Sequence, residues 1–85
     1  MKREPERPVN VAMRLVIERP GEKLALIEIK SRESIFENHV SVLNRLLPEF
    51  GEAEAFCLSN QVHPNMLGNV HCLNWRDGLK VLGVV

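Results

Sequence analysis

The feature that most constrains the fold is a pair of alternating apolar patterns joined by a proline-glycine turn. Apolar residues occupy every odd position from 9 to 17, and this period of two is typical of a half-buried strand. Pro20 and Gly21 follow, and residues 24–30 form a second apolar run. Proline presets the φ of the first turn position and glycine accepts the positive φ after it, so we expect an antiparallel hairpin.

The parity of the two patterns predicts which side chains share a face of the hairpin. The odd positions are apolar in both strands, so the buried faces coincide only if odd residues pair with odd residues. A three-residue turn with Gly21 in a bulge produces this register. Arg14 should then lie directly across from Glu28, on the face that also carries Lys30.

A helix is predicted after the hairpin. Residues 34–37, Ser-Ile-Phe-Glu, have the form of a capping box, in which each polar side chain binds a free backbone N–H of the first turn. Pro48 and Gly51 mark the end of the helix. Its apolar stripe at spacings of four, three and four consists of Phe36, Val40, Leu43 and Leu47.

The last third of the chain predicts two more strands and a second helix. Strands are expected at 53–59 and 70–73, joined by a loop and a turn over residues 60–69. Asn74 should cap a terminal helix. That helix is expected to face the core through Trp75, Leu79 and Leu82.

The predicted order of elements is therefore β-β-α-β-β-α, a small α/β domain with a mixed β-sheet covered by helices. A strand-helix-strand crossover makes the second and third strands parallel. Residues 1–8 alternate charged residues with prolines and are expected to form a flexible arm. The single domain then covers residues 9–85.

Composition limits the function without assigning one. The 85 residues include 11 basic and 11 acidic residues and are 45% apolar. This apolar fraction indicates a folded domain, whereas zero net charge gives no overall attraction to nucleic acid. The charged N-terminus does not have the pattern of a signal peptide, and no apolar run is long enough to span a bilayer. We therefore expect a cytoplasmic protein that does not bind membranes.

Glu28 and Lys30 are the residues best suited to chemistry, since they end a central strand just before a loop into a helix. A carboxylate can hold a divalent metal ion, and an ammonium two positions along, on the same face, can orient an attacking water molecule. Phosphodiester hydrolysis requires both roles.

The segment 26-LIEIKS-31 resembles the PD-(D/E)XK nuclease superfamily, the restriction-endonuclease-like fold. More narrowly, 15-LVIERPGEKLALIEIKS-31 together with 55-AFCLSN-60 and 70-VHCLNW-75 is similar to the nuclease-like domain at the C-terminus of prokaryotic AAA-type ATPases. The resemblance covers about residues 12–82 and implies a reduced restriction-endonuclease-like fold.

The resemblance implies Mg²⁺-dependent hydrolysis of DNA phosphodiester bonds. Glu28 matches the metal-binding acid of the Glu-x-Lys half-motif, and Lys30 matches its catalytic lysine. The preceding strand of the family supplies an aspartate as the main metal ligand, but Arg14 occupies that position in this chain. A guanidinium cannot ligate Mg²⁺ and would compete with the metal for Glu28. The first strand offers only one other acid on that face, Glu18, which lies about 13 Å from Arg14 along the strand. We therefore expect a catalytically degenerate domain.

The alternative is a non-catalytic oligomerisation or nucleic-acid-docking module, a remnant of a larger ATPase-associated protein. The residues expected to contact phosphate are Arg14, Lys30 and Arg32, which would form a shallow basic patch with weak, salt-sensitive binding. A homodimer could cover the sheet surface that the missing first helix of the fold leaves open. The chain lacks the Gly-Lys-Ser/Thr loop that binds ATP. The simplest interpretation of Arg14 is an exposed salt bridge to Glu28, worth about 0–1 kcal/mol.

Overall fold

The computed structural model describes residues 12–84. The predicted arm over residues 1–8 and the predicted start of the first strand at Val9 lie outside the described residues. In chain order the elements are β1 (Ala12–Ile17), β2 (Leu24–Lys30), a 3₁₀ turn (Glu37–His39), α1 (Ser41–Leu46), a second 3₁₀ turn (Leu47–Phe50), β3 (Ala53–Ser59), β4 (Asn65–Leu67), β5 (Val70–Asn74) and α2 (Trp75–Val81).

The strands form one mixed sheet in the order β1-β2-β3-β5-β4. The β1/β2 and β5/β4 pairs are antiparallel, whereas β2/β3 and β3/β5 are parallel. The predicted α/β class, the mixed sheet and the parallel pairing of the second and third strands are therefore confirmed. Within residues 12–84, no helix has both the length and the apolar character needed to cross a membrane.

The predicted order of six elements is wrong at one place, because the segment expected to be a loop and a turn contains β4. The strand forms a tight hairpin with β5, in which Leu67 pairs with Val70 across a two-residue turn. Gly68 has a φ of +64° there, as the short turns of hairpins require. Asn44 of α1 holds the turn in place, since its Nδ2 donates to the carbonyl of Leu67 and its Oδ1 accepts from the N–H of Asn69.

The register of the first hairpin agrees with the parity argument. Odd residues pair with odd residues, and Arg14 lies opposite Glu28. The turn is closed by a 3.0 Å hydrogen bond from the N–H of Glu22 to the carbonyl of Arg19, with Gly21 at a φ of +76°. The predicted side-by-side placement of the two charged groups is confirmed.

The first helix begins later than predicted, and the capping box at Ser34 and Glu37 does not form. The carbonyl of Arg32 accepts a hydrogen bond from the N–H of Asn60, which ties the chain after β2 to the end of β3. The first turn is instead closed by His39, whose Nδ1 accepts from the N–H of Phe36 at 2.8 Å. As a result, Ile35 is buried in place of the exposed Phe36.

Two cores lie on the two faces of the sheet. The core under α1 contains Leu26, Ile35, Val40, Leu43, Ala55, Cys57, Val70 and Cys72. The core under α2 contains Ala25, Ile27, Phe56, Leu58 and Leu82.

The second helix is capped as predicted, because the side chain of Asn74 accepts from the N–H of Arg76 at 3.0 Å. The expectation that Trp75 faces inward is wrong, since its side chain is exposed. The helix approaches the sheet through Gly78, where a Cβ atom would overlap the side chain of Leu58. Leu79 and Leu82 pack on the sheet as predicted, whereas Trp75 does not.

Candidate functional site

The candidate site is centred on Glu28 in the middle of the sheet. Its side chain points to the α1 face and is 0% exposed. Arg14 of β1 lies opposite it on one side, and Cys57 of β3 lies beside it on the other. Strand alternation places Lys30 on the same face, one step closer to the end of β2. The carboxylate therefore has a cationic neighbour on β1, another on its own strand and the α1 core beside it.

Each oxygen of the Glu28 carboxylate contacts a different cation. The Nε–H of Arg14 donates to Oε1 at 3.4 Å, and Nζ of Lys30 lies 3.2 Å from Oε2. Oε2 accepts no hydrogen bond from the described residues, so Lys30 stabilises it as an ion pair. The side chain of Arg14 is 52% exposed, whereas that of Lys30 is 13% exposed. We call Arg14, Glu28 and Lys30 the ion triad.

The ion triad is what allows a carboxylate to be buried at this position. An isolated charge in a protein interior is very unfavourable, and buried charges are stable only when they are paired. Lys30 is the more deeply buried partner, and water screens its attraction to Glu28 less than it screens that of Arg14. The interpretation of the Arg14 pair as an ordinary exposed salt bridge is therefore incomplete, because only the arginine end is exposed.

The residues around Glu28 do not fit a divalent metal ion. A carboxylate ligand for Mg²⁺ must present oxygens that are free to coordinate, but cations occupy both sides of Glu28. Arg14 stands where a second carboxylate is needed, and Glu18 follows the end of β1. Residues 12–84 hold no group of three or more His, Cys, Asp or Glu side chains arranged to bind a metal. The donor set thus lacks the oxygens that such a site requires.

The space beside Arg14 is also apolar. A cavity of about 90 Å³ lies between β1, β2 and the end of α1. Its apolar wall is formed by Leu15, Val16, Leu26, Ile27, Leu43, Leu46 and Phe50. A cavity with such a wall offers no oxygen ligands for a cation, so it is not an acidic cleft.

The two cysteines continue the row of side chains that starts at Arg14 and Glu28. Cys57 and Cys72 are partners on the parallel strands β3 and β5, and both are free and buried. The hydrogen bond with Cys72, burial and the charge of Glu28 raise the pKa of the Cys57 thiol. A thiol with a raised pKa is a poor nucleophile at neutral pH. Both cysteines belong to the core under α1.

The predicted basic patch gains a residue that the sequence did not indicate. His39 lies near the end of β2, where partial burial and the positive charges of Arg32 and Lys30 lower its pKa. The Nε–H of Arg32 donates to the carbonyl of Ser34 at 3.1 Å, which holds its guanidinium near the loop. Of the predicted phosphate-binding residues, Lys30 is the least available because it is largely buried against Glu28.

A network of amide and hydroxyl groups links the loop after β3 to the carboxyl ends of β3 and β5. Gln61 is buried, and its Oε1 accepts from Oγ of Ser59. Its Nε2 donates to the carbonyls of His63 and Cys72 and to Oδ1 of Asn65. These bonds use the polar atoms of the Gln61 side chain, which therefore orders the loop between β3 and β4.

Comparison of the chain with models of protein families, with curated proteins and with solved structures gives no match. The resemblance to nucleases therefore rests on the sequence segments that carry it.

Proposed function

We propose that the chain is a catalytically degenerate domain of the PD-(D/E)XK, restriction-endonuclease-like type, which docks nucleic acid without cleaving it. The observation that carries the proposal is the ion triad. The Glu-x-Lys pair is kept at the end of a central strand, but a second cation replaces the acidic partner on the neighbouring strand. A carboxylate neutralised in this way serves the fold and not a metal ion.

The connectivity around the triad supports the same proposal. An antiparallel hairpin leads into the Glu-x-Lys strand, and a helix then crosses to a parallel strand. This is the arrangement that the family resemblance implies for its central strands. Loss of catalytic function within that fold accounts for the arginine at position 14, where the resemblance implies an aspartate.

Docking of nucleic acid is proposed for the surface at the end of β2. Arg14 is half exposed, and Arg32, just after the end of β2, is partly exposed. Glu33 and Glu37 are exposed close to these residues and limit the positive potential. Such a patch neutralises one or two phosphates, and we expect weak binding that decreases with salt in proportion to that number.

The proposal is tested by measuring cleavage and binding on the same DNA substrates. Single-stranded, duplex and branched DNA are incubated with the chain and Mg²⁺ or Mn²⁺, and we expect no products. Metal-dependent cleavage that is lost in Lys30→Ala would overturn the proposal and establish a working nuclease.

Binding is measured by fluorescence anisotropy at low and moderate salt. Arg32→Ala should weaken binding, because it removes one phosphate contact, while Arg45→Ala serves as the control because Arg45 is exposed on α1, away from the end of β2. Equal losses in the two variants would show that only general charge is involved. Absence of binding at low salt would leave the degenerate fold without a docking role.

A further inference from the structure

The outer edge of β1 is an exposed, largely apolar edge of the sheet. β1 pairs only with β2 among the described strands, so the hydrogen-bonding groups on its other side are unpaired within residues 12–84. Met13, Leu15 and Val16 are 54%, 41% and 56% exposed. Proteins normally protect such edges with charges, prolines, bulges or a covering segment, because an open edge can pair with another strand.

The sequence of this edge is complementary to itself in the antiparallel direction. Residues 14–18 read Arg-Leu-Val-Ile-Glu. If a second copy pairs with the first about a two-fold axis through Val16, Arg14 of each copy lies opposite Glu18 of the other. Leu15 then lies opposite Ile17, and Val16 lies opposite its own counterpart. The apolar centre and the two flanking charges are all matched.

This pairing also keeps matching side chains on the same face of the joined sheet. A two-fold axis perpendicular to the sheet keeps the faces of both copies on the same sides, so even residues must lie opposite even residues. A register centred on Arg14 would place two guanidinium groups opposite each other, which is unfavourable. A register centred on Leu15 would place Arg14 opposite Val16. The register centred on Val16 is the one that pairs each arginine with a glutamate.

Both charged groups have capacity for this contact. Arg14 uses its Nε–H for Glu28, and its terminal nitrogens donate no hydrogen bond to the described residues. Glu18 is exposed and forms no ion pair within residues 12–84. Arg14 could therefore hold Glu28 of its own copy and Glu18 of the second copy at the same time.

From these observations we propose that the chain forms a homodimer by antiparallel pairing of β1 with β1 of a second copy, centred on Val16. The two five-stranded sheets then join into one continuous sheet. The edge that most needs protection becomes an internal pair of strands, and the ion triads of the two copies lie on either side of the axis. The contact requires neither metal nor nucleic acid. Arg14 is shared with the proposed docking surface, whereas Val16 and Glu18 belong to the dimer contact alone, so variants at these two positions test the dimer separately.

Oligomeric state is the first test. Light scattering after size exclusion should give a dimer for the natural chain at high micromolar concentration. Val16→Lys should give a monomer, because it places two ammonium groups on the axis, and Glu18→Lys should weaken the dimer by placing a lysine opposite Arg14. Both residues are exposed, and circular dichroism checks that the variants are folded. Val62→Lys is the matched control, since Val62 is 77% exposed in a loop away from β1.

The register is tested by disulfide trapping. Val16→Cys should cross-link to its own counterpart under mild oxidation, because directly opposite Cβ atoms in an antiparallel pair are about 4.5–5.5 Å apart. Glu18→Cys should not, since the two introduced thiols would be about 13 Å apart along the strands. The natural chain controls for the buried Cys57 and Cys72. A monomeric natural chain, a dimer unaffected by Val16→Lys, or preferential trapping of Glu18→Cys would each overturn the proposal.

Discussion

Arg14 and Glu28 lie directly opposite each other in the β1/β2 ladder, with Nε and Oε1 3.4 Å apart, yet the arginine is half exposed and the glutamate is fully buried. This difference in exposure determines which of the two cations stabilises Glu28 more. Water screens the charge of Arg14. Lys30, which contacts the other carboxylate oxygen, Oε2, is almost as buried as Glu28 itself. The lysine should therefore stabilise the buried charge more than the arginine does.

We expect Lys30→Met to destabilise the fold more than Arg14→Met. Removing one partner of a buried pair costs about 3–5 kcal/mol, and Lys30→Met should approach the lower end because Arg14 still contacts Oε1. Arg14→Met should cost about 1 kcal/mol or less, in the range of pairs with an exposed partner. Urea unfolding monitored by circular dichroism measures both free energies.

Lys80→Met is the control for this comparison, since Lys80 is exposed on α2 and should change the free energy of unfolding little. Equal effects of Lys30→Met and Arg14→Met would contradict the ordering. Because Arg14 also belongs to the proposed dimer interface, the unfolding experiments should use the Val16→Lys background, in which the chain is expected to be monomeric.

Gly68→Ala should destabilise the chain more than Gly21→Ala. Both glycines have positive φ values, +64° and +76°, so both substitutions carry a backbone cost of about 1–2 kcal/mol. A Cβ at position 68 would also meet the side-chain amide of Asn44 at 2.7 Å, whereas nothing lies within 4 Å of one at position 21. The difference in unfolding free energy between the two variants therefore measures the contact with α1.

Asn44→Ala separates the two contributions at Gly68. In that background the steric conflict is absent, and the effect of Gly68→Ala should fall to that of Gly21→Ala. If the double variant is no less sensitive than the single one, the clamp between α1 and the β4–β5 turn does not operate as described.

The hairpin and the central strands could be predicted from the sequence because their signals are local and agree with one another. Alternation fixed the parity of β1 and β2, the Pro20-Gly21 turn fixed their connection, and together they placed Arg14 opposite Glu28. The pattern of apolar residues likewise gave the limits of β2 and β3. No knowledge of the rest of the chain was needed for these inferences.

Other features depend on contacts between distant residues. β4 has only three residues and is defined by its pairing with β5 and by the Asn44 clamp, neither of which leaves a periodic signal. The late start of the first helix depends on the hydrogen bond from Asn60 to Arg32. The exposure of Trp75 goes with a close approach of the helix to the sheet at Gly78, where a Cβ atom would overlap the side chain of Leu58.

The stability of the chain should depend on pH through His39, which lies in the chain shortly after the cations Lys30 and Arg32. Partial burial and the charges of Arg32 and Lys30 hold the pKa of His39 below its ordinary value of 6.5, so the unfolded chain binds this proton more readily than the folded one. Stability is therefore full above pH 6.5 and decreases as the pH falls through that value. Protonation also removes the acceptor that Nδ1 offers to the N–H of Phe36.

Urea midpoints measured between pH 7.5 and pH 5.5 test this dependence. His39→Gln should flatten the profile, because the amide does not titrate and its oxygen can still accept a hydrogen bond. His63→Gln, in an exposed loop, should leave the profile of the natural chain unchanged. A profile that is the same with and without His39 would exclude it as the source.

Arg14→Asp tests whether the triad occupies the place of a metal site. The substitution puts a carboxylate directly across from Glu28 and removes one of the two cations. Without metal, we expect the variant to be less stable than the natural chain because like charges face each other across the ladder. Mn²⁺ or Mg²⁺ should then raise its unfolding temperature with increasing concentration, since a ligand that binds only the folded state stabilises it by mass action.

The natural chain should show no such increase, and Arg14→Asn provides the control that is similar in size but lacks the charge. An unfolding temperature of Arg14→Asp that does not respond to either metal would show that the backbone around Glu28 lacks the geometry of a restriction-endonuclease-like site, and the ion triad would then be an ordinary buried ion pair of an unrelated α/β domain.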